Sequence, residues 1–548
     1  MNKHKLLMYL CVAQKNTTTN SDILYQYIAV VKKISLVLFY TALVFFIIPP
    51  SRFILGMKYA IDVRMIRTFA RFFIPLPLFL LVLFTLNEAA LAQALPGEGQ
   101  GFVGAQPTLN VNSRRSTSVQ DPGQFFNAPY GDQHLFGNWW GLQPFLLRHG
   151  VHIEADVHEE LAGNFRGGAK QGVTDAGQVG VEIDIDWNKL AGAPKNFWTH
   201  TMIVNGHGRN LSTDYIHDSL GGVQQIYGAR GNVVAHLVYM YAEQSLFHNR
   251  LDISAGWIPV GSFFAASPLF CEFMNVSICG NPAPGKYVPG GRDWPSGNLG
   301  VVMRVMPTVD TYIMASMFAV SPHSFNGGIS GWAWAQSGLG KFSTPVEIGW
   351  LPEFGRNHLA GHYKAGYGYD NSQYDDLYSD INGNSAVRTG LPFRKQSGVS
   401  TAWFQADQMI VRNGKGPTNG LIALAGYMYT SGKISAMKQH VWAGMIETGA
   451  KWGRPLDTVG AMFHYFEMSR ASILQQESSI LAGTPFLNNQ WGKAWGIQTH
   501  EDVYELFYNI HTARGMSFQP DFQYINRPGA TTTYHDAAVM GLQFNCLL

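Results

Sequence analysis

From about residue 150 onward, apolar and polar residues take turns along the chain. In Val151-His152-Ile153-Glu154-Ala155-Asp156-Val157-His158, every second residue is apolar and the rest are His, Glu, Asp and His. Val179-Gly180-Val181-Glu182-Ile183-Asp184-Ile185-Asp186 follows the same rule. A period of two places one set on each face of a strand, whereas a helix would scatter both sets around its axis. Similar segments recur at 251–257, 359–369, 441–450, 516–524 and 538–548. Looser ones fall near 197–206, 233–247, 298–307, 310–320, 343–351, 398–412, 419–430, 457–468 and 495–511. Gly, Pro, Asn and Asp bound most of them. The pattern predicts an all-β fold of about 16 strands, an even number of the kind antiparallel membrane barrels use.

The alternation does not say what each face meets. A soluble sandwich turns its apolar face to a core, while a transmembrane barrel turns it to lipid and encloses water with the polar face. Three features favour the transmembrane antiparallel β-barrel: an export signal, aromatics at segment ends (Trp187, Trp257, Tyr369, Trp452, Tyr524), and two faces too extensive for one soluble core. Aromatic girdles are expected at both lipid interfaces of such a barrel. The last segment, Ala538 to Leu548, alternates to the final residue, as suits a strand that closes on the first and removes both edges.

The charge balance sharpens this picture. Of 548 residues only 14% are charged, against roughly 25% in ordinary soluble domains. The formal net charge of +2 conceals a division. Residues 1–92 hold ten Lys and Arg against three Asp and Glu, which leaves 29 bases and 34 acids, a net of −5, for residues 93–548. Arg64, Arg67 and Arg71, the apolar run Phe72–Leu86 and the small-residue site Ala90-Leu91-Ala92 read as a signal peptide cleaved after Ala92. A further apolar stretch lies upstream at Ile34–Ile48, and translation starting at Met57 or Met65 would leave a signal of ordinary length. Residues 93–136, rich in Gly, Pro, Gln, Asn and Ser, read as a flexible periplasmic linker. Residues 137–548 then form the barrel, with a short helix expected at Trp140–Leu147. No Lys/Arg stripe for nucleic acid is present.

Other chemistry finds little support. His158-Glu159-Glu160 lacks the second His of a zinc-protease helix. No CxxC pair and no Gly-x-Ser-x-Gly element appears, so neither a metal, a cofactor nor a catalytic group is expected. Cys271 and Cys279 lie eight residues apart and are close enough to pair in an oxidising periplasm; free thiols are the alternative.

Between Gly261 and Gly297 the alternation lapses for about 37 residues. Loops that long in a compact structure are usually functional or disordered. This one carries Phe263, Phe264, Phe270, Phe273, Tyr287, Arg292, Asp293 and Trp294. Aromatic faces pack against the C–H side of a sugar ring and charged groups bond its hydroxyls, so the stretch is the candidate constriction, with Arg292, Asp293 and Trp294 in the solute path. The bland alternative is that its aromatics only anchor it to the wall. On the strands, Glu154, Asp156, Glu182, Asp184, Gln519, Asp521 and Gln523 are candidate lumen residues, since carboxylates and amides exchange hydrogen bonds with hydroxyls. They could equally serve only to keep a pore wet.

The stretch Gly137-Asn138-Trp139-Trp140-Gly141-Leu142-Gln143-Pro144 through Leu147-Arg148-His149-Gly150-Val151 resembles the opening of the carbohydrate-selective porin family of the OprB type. Glu160–Gly168, Ala406-Asp407-Gln408-Met409, Glu505-Leu506-Phe507-Tyr508 and Gln519-Pro520-Asp521-Phe522-Gln523-Tyr524-Ile525 resemble later elements of that family. The resemblance implies one barrel with a short N-terminal helical element, residence in the bacterial outer membrane, and passive diffusion of mono- or oligosaccharides. Its partners would be sugars and outer-membrane lipid, and association into homo-oligomers stays open. Two departures stand out: the chain ends in Leu548 where the family favours an aromatic, and Gln143 stands where it often has Arg. A general porin or an exporter for other small polar solutes is the alternative, with a barrel enzyme or an adhesin behind it.

Overall fold

The computed structural model describes residues 134–548, apart from 219, 225–232, 280, 287, 289–293, 321–330, 333–340, 415–418 and 486–495. The expected signal peptide, and the expected linker up to residue 133, lie outside the described residues, as do Tyr287, Arg292 and Asp293.

The alternating segments form one closed, sixteen-stranded antiparallel barrel. Its strands are β1 (Val151–Gly168), β2 (Gly172–Asp186), β3 (Phe197–Gly208), β4 (Val233–Leu246), β5 (Leu251–Ile258), β6 (Asn298–Val305) and β7 (Thr311–Ala319). The eighth, β8, runs in three pieces along one side of its neighbour: Phe342–Ser343, Val346–Trp350 and Glu353–Phe354. Pro345 and Pro352 stand in the gaps, and proline has no N–H to give to a ladder. Then follow β9 (Leu359–Asp380), β10 (Phe393–Arg412), β11 (Gly420–Thr430), β12 (Met437–Thr448), β13 (Thr458–Met468), β14 (His500–Ala513), β15 (Met516–Asn526) and β16 (His535–Leu547).

Each strand pairs with its sequence neighbours, and β1 pairs antiparallel with β16 from Asp156↔Leu547 to Gly168↔His535. Closure leaves no unpaired edge, the condition for backbone to sit in hydrocarbon. The final strand is locked without a terminal aromatic. Leu547 N–H donates to Gly515 O and Leu548 N–H to Ala155 O, both at 2.8 Å, and Trp139 Nε1 donates to Leu548 O at 3.0 Å. Trp139 precedes α1 (Leu142–Arg148), the expected short helix. Short turns such as 247–250, 306–310 and 514–515 lie at one end, and long connections such as 259–297 and 469–499 at the other. That asymmetry matches short periplasmic turns and longer extracellular loops. The 469–499 connection contains α5 (Arg470–Leu481), a helix the alternation did not announce; α2 (Trp187–Ala191), α3 (Ala283–Lys286) and α4 (Ala386–Thr389) are single turns.

Exposure along the strands is inverted relative to a soluble protein. Outward rows carry Ile313, Ile348, Phe404, Leu506 and Met540, all half or more exposed. Inward rows carry Asp184, His440, Gln519 and Gln523, all wholly buried. On β15, Met516, Phe518, Phe522 and Tyr524 share the outer face and Ser517, Gln519, Asp521 and Gln523 the inner one, as predicted. Two stacked sheets burying the apolar rows against each other would have produced the opposite exposure.

Leu506, at the middle of β14 and 54% exposed, tests this assignment. A cation on the lipid face near the midplane costs about 2–4 kcal/mol. Leu506→Arg is expected to lower refolding stability in lipid vesicles by that amount, while Leu506→Ala changes it far less, as read by denaturant titration of the heat-modifiable folded band.

Candidate constriction site

The 259–297 connection folds into the barrel and is seated by aromatic pairs. Phe263 packs edge-on against Tyr241 of β4 with ring centroids 5.8 Å apart, and Phe264 against Phe318 of β7 and Trp403 of β10 at 6.4 Å each. Phe270 meets Trp442 of β12 at 5.8 Å, and Phe273 meets Phe507 of β14 at 5.0 Å. All five are T-shaped, the arrangement that sets a positive ring edge on a negative face, worth about 0.5–1.5 kcal/mol each beyond area burial. The loop therefore crosses the lumen from the β4 side to the β14 side.

The wall rings have room because glycines stand across from them. Trp403 is in register with Gly366, Trp442 with Gly426, Tyr312 with Gly349 and Phe507 with Gly460. A Cβ added at Gly426 would come within 2.0 Å of Trp442 Cζ2, and one at Gly366 within 2.1 Å of Trp403 Cζ2. Each indole lies across the neighbouring strand's bare backbone, which fixes the height and tilt of the surface the loop rests on.

Polar contacts then fix the loop's path. Glu347 of β8, wholly enclosed, accepts hydrogen bonds from Ala265 N–H at 2.8 Å and Trp403 Nε1–H at 2.7 Å through Oε2, and from Tyr312 OH at 2.7 Å through Oε1. Lys364 Nζ and Gln405 Nε2 both donate to Ala266 O at 2.6 Å. Two consecutive residues are thus gripped from three adjacent strands. Ala265 has φ +54°, a left-handed conformation that costs a residue with a Cβ about 1–2 kcal/mol, so the grip holds the chain in a shape it would not adopt alone. Farther along, Asn275 N–H donates to Glu505 Oε1 at 3.1 Å and Asn275 Nδ2 to Gln523 Oε1 at 2.9 Å. Cys271 and Cys279 are joined by a disulfide, against which Trp294 packs.

The strand residues singled out from sequence all point inward but divide into two groups. Gln519 Nε2 donates to Glu272 O at 2.9 Å and Gln523 Nε2 to Val223 O at 3.0 Å, so both hold inward-folded loops; Asp521 accepts from Gln523 at 2.9 Å. On the β1–β4 wall, Asp184 sits between His152 and His200, whose Nδ1 atoms lie 3.0 and 2.7 Å from its two oxygens. Glu182 accepts from Tyr239 OH, and Asp156 is buried beside this group. Glu154 is half-buried, its side chain 22% accessible, with His134 and His152 each 4.0 Å away. Trp294 Nε1 donates to Gln178 Oε1 at 3.4 Å. Sequence reasoning missed Glu347, Lys364, Gln405 and Trp403. Glu347 had a signal, since it is the lone acid between Val346 and Ile348 in an alternating segment.

A small recess opens between the loop and the β8–β11 wall, with Phe264, Trp403, Asn281, Asp370 and Thr401 among its lining. No His/Cys/Asp/Glu group suited to a metal ion occurs among the described residues.

A lipid-facing closed barrel with a polar interior narrowed by an inserted loop is an outer-membrane porin. The chain belongs to the carbohydrate-selective porin, OprB family, which it matches over residues 170–546. It is 26% identical to Porin B of Pseudomonas aeruginosa over 422 residues, covering 75% of this chain and 90% of that protein. The high-pH structure of Pseudomonas putida OprB superposes with a TM-score of 0.70 at 26% identity, covering 76% of this chain and 99% of that one. The protein is thus a sugar porin of the bacterial outer membrane, a family of channels.

Two measurements test the seating of the loop. Glu347→Ala removes the acceptor of three hydrogen bonds, and each donor left buried and unsatisfied costs about 1–3 kcal/mol. Single-channel recordings are expected to show a larger, noisier conductance, with Glu347→Gln intermediate because it keeps one acceptor oxygen. The second concerns Glu272 in the loop, where burial pushes the carboxyl up to about 7 from 4.5. A raised acid favours the folded form while protonated, so its contribution is complete below about pH 4.5 and is lost as pH rises through about 7. Current noise is expected to grow across that window in the native protein and to stay flat in Glu272→Gln.

Proposed function

We propose that mono- or small oligosaccharides cross this channel passively along the polar β1–β4 wall and past the 259–297 loop, meeting Glu154, Asp156 and Trp294 on the way. The observation that carries this reading is the pairing of a loop held inside the lumen with a polar wall on which Glu154 is only half-buried. A sugar must exchange part of its water for side chains in such a gap, and contacts weak enough to release it allow conduction. The recess beside Phe264 and Trp403 offers apolar ring surface next to Asp370 and Thr401, which suits a pyranose with C–H faces and hydroxyl edges. Arg292 and Asp293 belong to the same reading as hydroxyl-binding groups of the loop. No bond of the solute is made or broken, and neither cofactor nor catalytic residue is required. Residues 1–92 are read as the export region with cleavage after Ala92, which N-terminal sequencing of the mature protein checks.

Trp294→Ala tests the solute path. It is expected to change swelling rates of proteoliposomes in a neutral hexose several-fold while altering KCl conductance much less. Equal changes in both would assign Trp294 to anchoring alone. Equal permeability to sugars and to other polar solutes of the same size would favour a general porin.

A further inference from the structure

Two pairs of carboxyl groups face each other inside the barrel, and each pair ties a loop to the β14–β15 wall. Asp218 lies in the described part of the β3–β4 connection, residues 209–218 and 220–224, and its carboxyl is hydrogen-bonded to that of Glu501 on β14. Asp218 Oδ1 also accepts from Leu220 N–H at 2.8 Å, and Glu501 Oε2 from Gly529 N–H at 2.6 Å and Ala530 N–H at 3.3 Å. Glu505 of β14 and Asp521 of β15 are bonded to each other in the same way. There Glu505 Oε1 accepts from Asn275 N–H at 3.1 Å and Asp521 Oδ1 from Gln523 Nε2 at 2.9 Å.

All four side chains are buried. Their remaining oxygens, Asp218 Oδ2, Glu501 Oε1, Glu505 Oε2 and Asp521 Oδ2, have no N–H or hydroxyl donor among the described residues. Two ionised carboxylates have no hydrogen to share, so a bond between them requires a proton on one. Without that proton, each pair would set two like charges in contact away from water.

The two pairs serve one structure. Val276 N–H donates to Gly222 O at 2.8 Å, which joins the 259–297 loop to the β3–β4 connection. Gln523 bridges the same two segments, donating from Nε2 to Val223 O at 3.0 Å and accepting at Oε1 from Asn275 Nδ2 at 2.9 Å. Neither segment can leave the wall without pulling on the other.

We infer that these two inward-folded segments form a single gate, latched to β14–β15 by one proton held in each carboxyl pair, and that a rise in pH releases them together. Burial pushes the Asp218 carboxyl up from its ordinary value. An acid raised in the folded arrangement stabilises it while protonated and loses that contribution as pH rises. The other titratable groups beside the pairs are His217, whose Nδ1 lies 2.9 Å from Tyr534 OH, and Glu160 of β1, which faces Asp521 and has His158 Nε2 3.3 Å away. The inference holds whatever solute crosses, because KCl conductance reads the gate without sugar.

The test uses the full mature protein in planar bilayers. A buried Glu can keep its proton to about pH 8–9, so native channels are compared at about pH 7 and about pH 9.5, above the window in which Glu272 titrates. Conductance is expected to step to a larger value at the higher pH, with several-fold greater noise, and to return when the pH is lowered. In the double variant Glu501→Gln, Glu505→Gln, each amide supplies an N–H to the facing acid and keeps an oxygen for the backbone, so the low-pH conductance is expected at both. A native channel indifferent to the step, or a double variant that responds as the native does, would overturn the inference. Two separate steps, each removed by one single variant, would overturn the single gate. Infrared spectra need no variant: protonated-carboxyl C=O absorption is expected in the native protein at the lower pH and lost at the higher, and its absence at the lower pH would sink the idea.

Discussion

Hydrocarbon cannot hydrogen-bond, so every backbone N–H and C=O of a strand placed in it must find its partner within the protein. The β1–β16 seam meets that requirement for the whole molecule, because an open sheet of fifteen pairings would still expose two unpaired edges. Once the seam closes, the two faces of every strand have fixed destinations. The apolar rows that end in Met540 and Leu542 go to lipid, and the row containing Gln519 and Gln523 goes inside.

Closure also creates the space that the interior must fill. Sixteen strands enclose more volume than their own side chains occupy, and the 259–297 loop takes up part of it. Its seating combines two kinds of contact. The aromatic pairs set its distance from the wall, using indoles and phenyl rings laid over Gly366, Gly426 and Gly460. Hydrogen bonds accepted by Glu347 and Gln523 and donated by Lys364 and Gln405 set its path along the wall. Phe263, Phe264, Phe270 and Phe273 therefore act as anchors.

Function in such a channel lies in what the loop leaves open. Arg304 of β6 is paired with Asp252 of β5, and Lys364 of β9 lies beside the Glu347 that holds the loop. Across β1–β4, Asp184 is bonded by His152 and His200 and Glu182 by the Tyr239 hydroxyl.

The strands, their faces and their approximate number were legible in the sequence, because a period of two is a local property and each strand obeys it whatever its neighbours do. All sixteen predicted segments correspond to barrel strands, although β9 and β10 run past their predicted ends to Asp380 and back from Phe393. The family resemblance at Gln519–Ile525 was legible for the same reason, as a short contiguous run. Which inward residues hold a loop was settled by the fold. Gln519 looks like any other polar residue of an alternating segment, and its hold on the loop exists only once Glu272, 247 positions away, arrives beside it. Helix α5 was invisible for a related reason: it buries Ser472, Gln476 and Ser479 and is held by a reciprocal Gln476–Gln498 bond, so no apolar stripe announced it. Local periodicity reports which way a side chain points, and contacts between distant segments decide what it meets there.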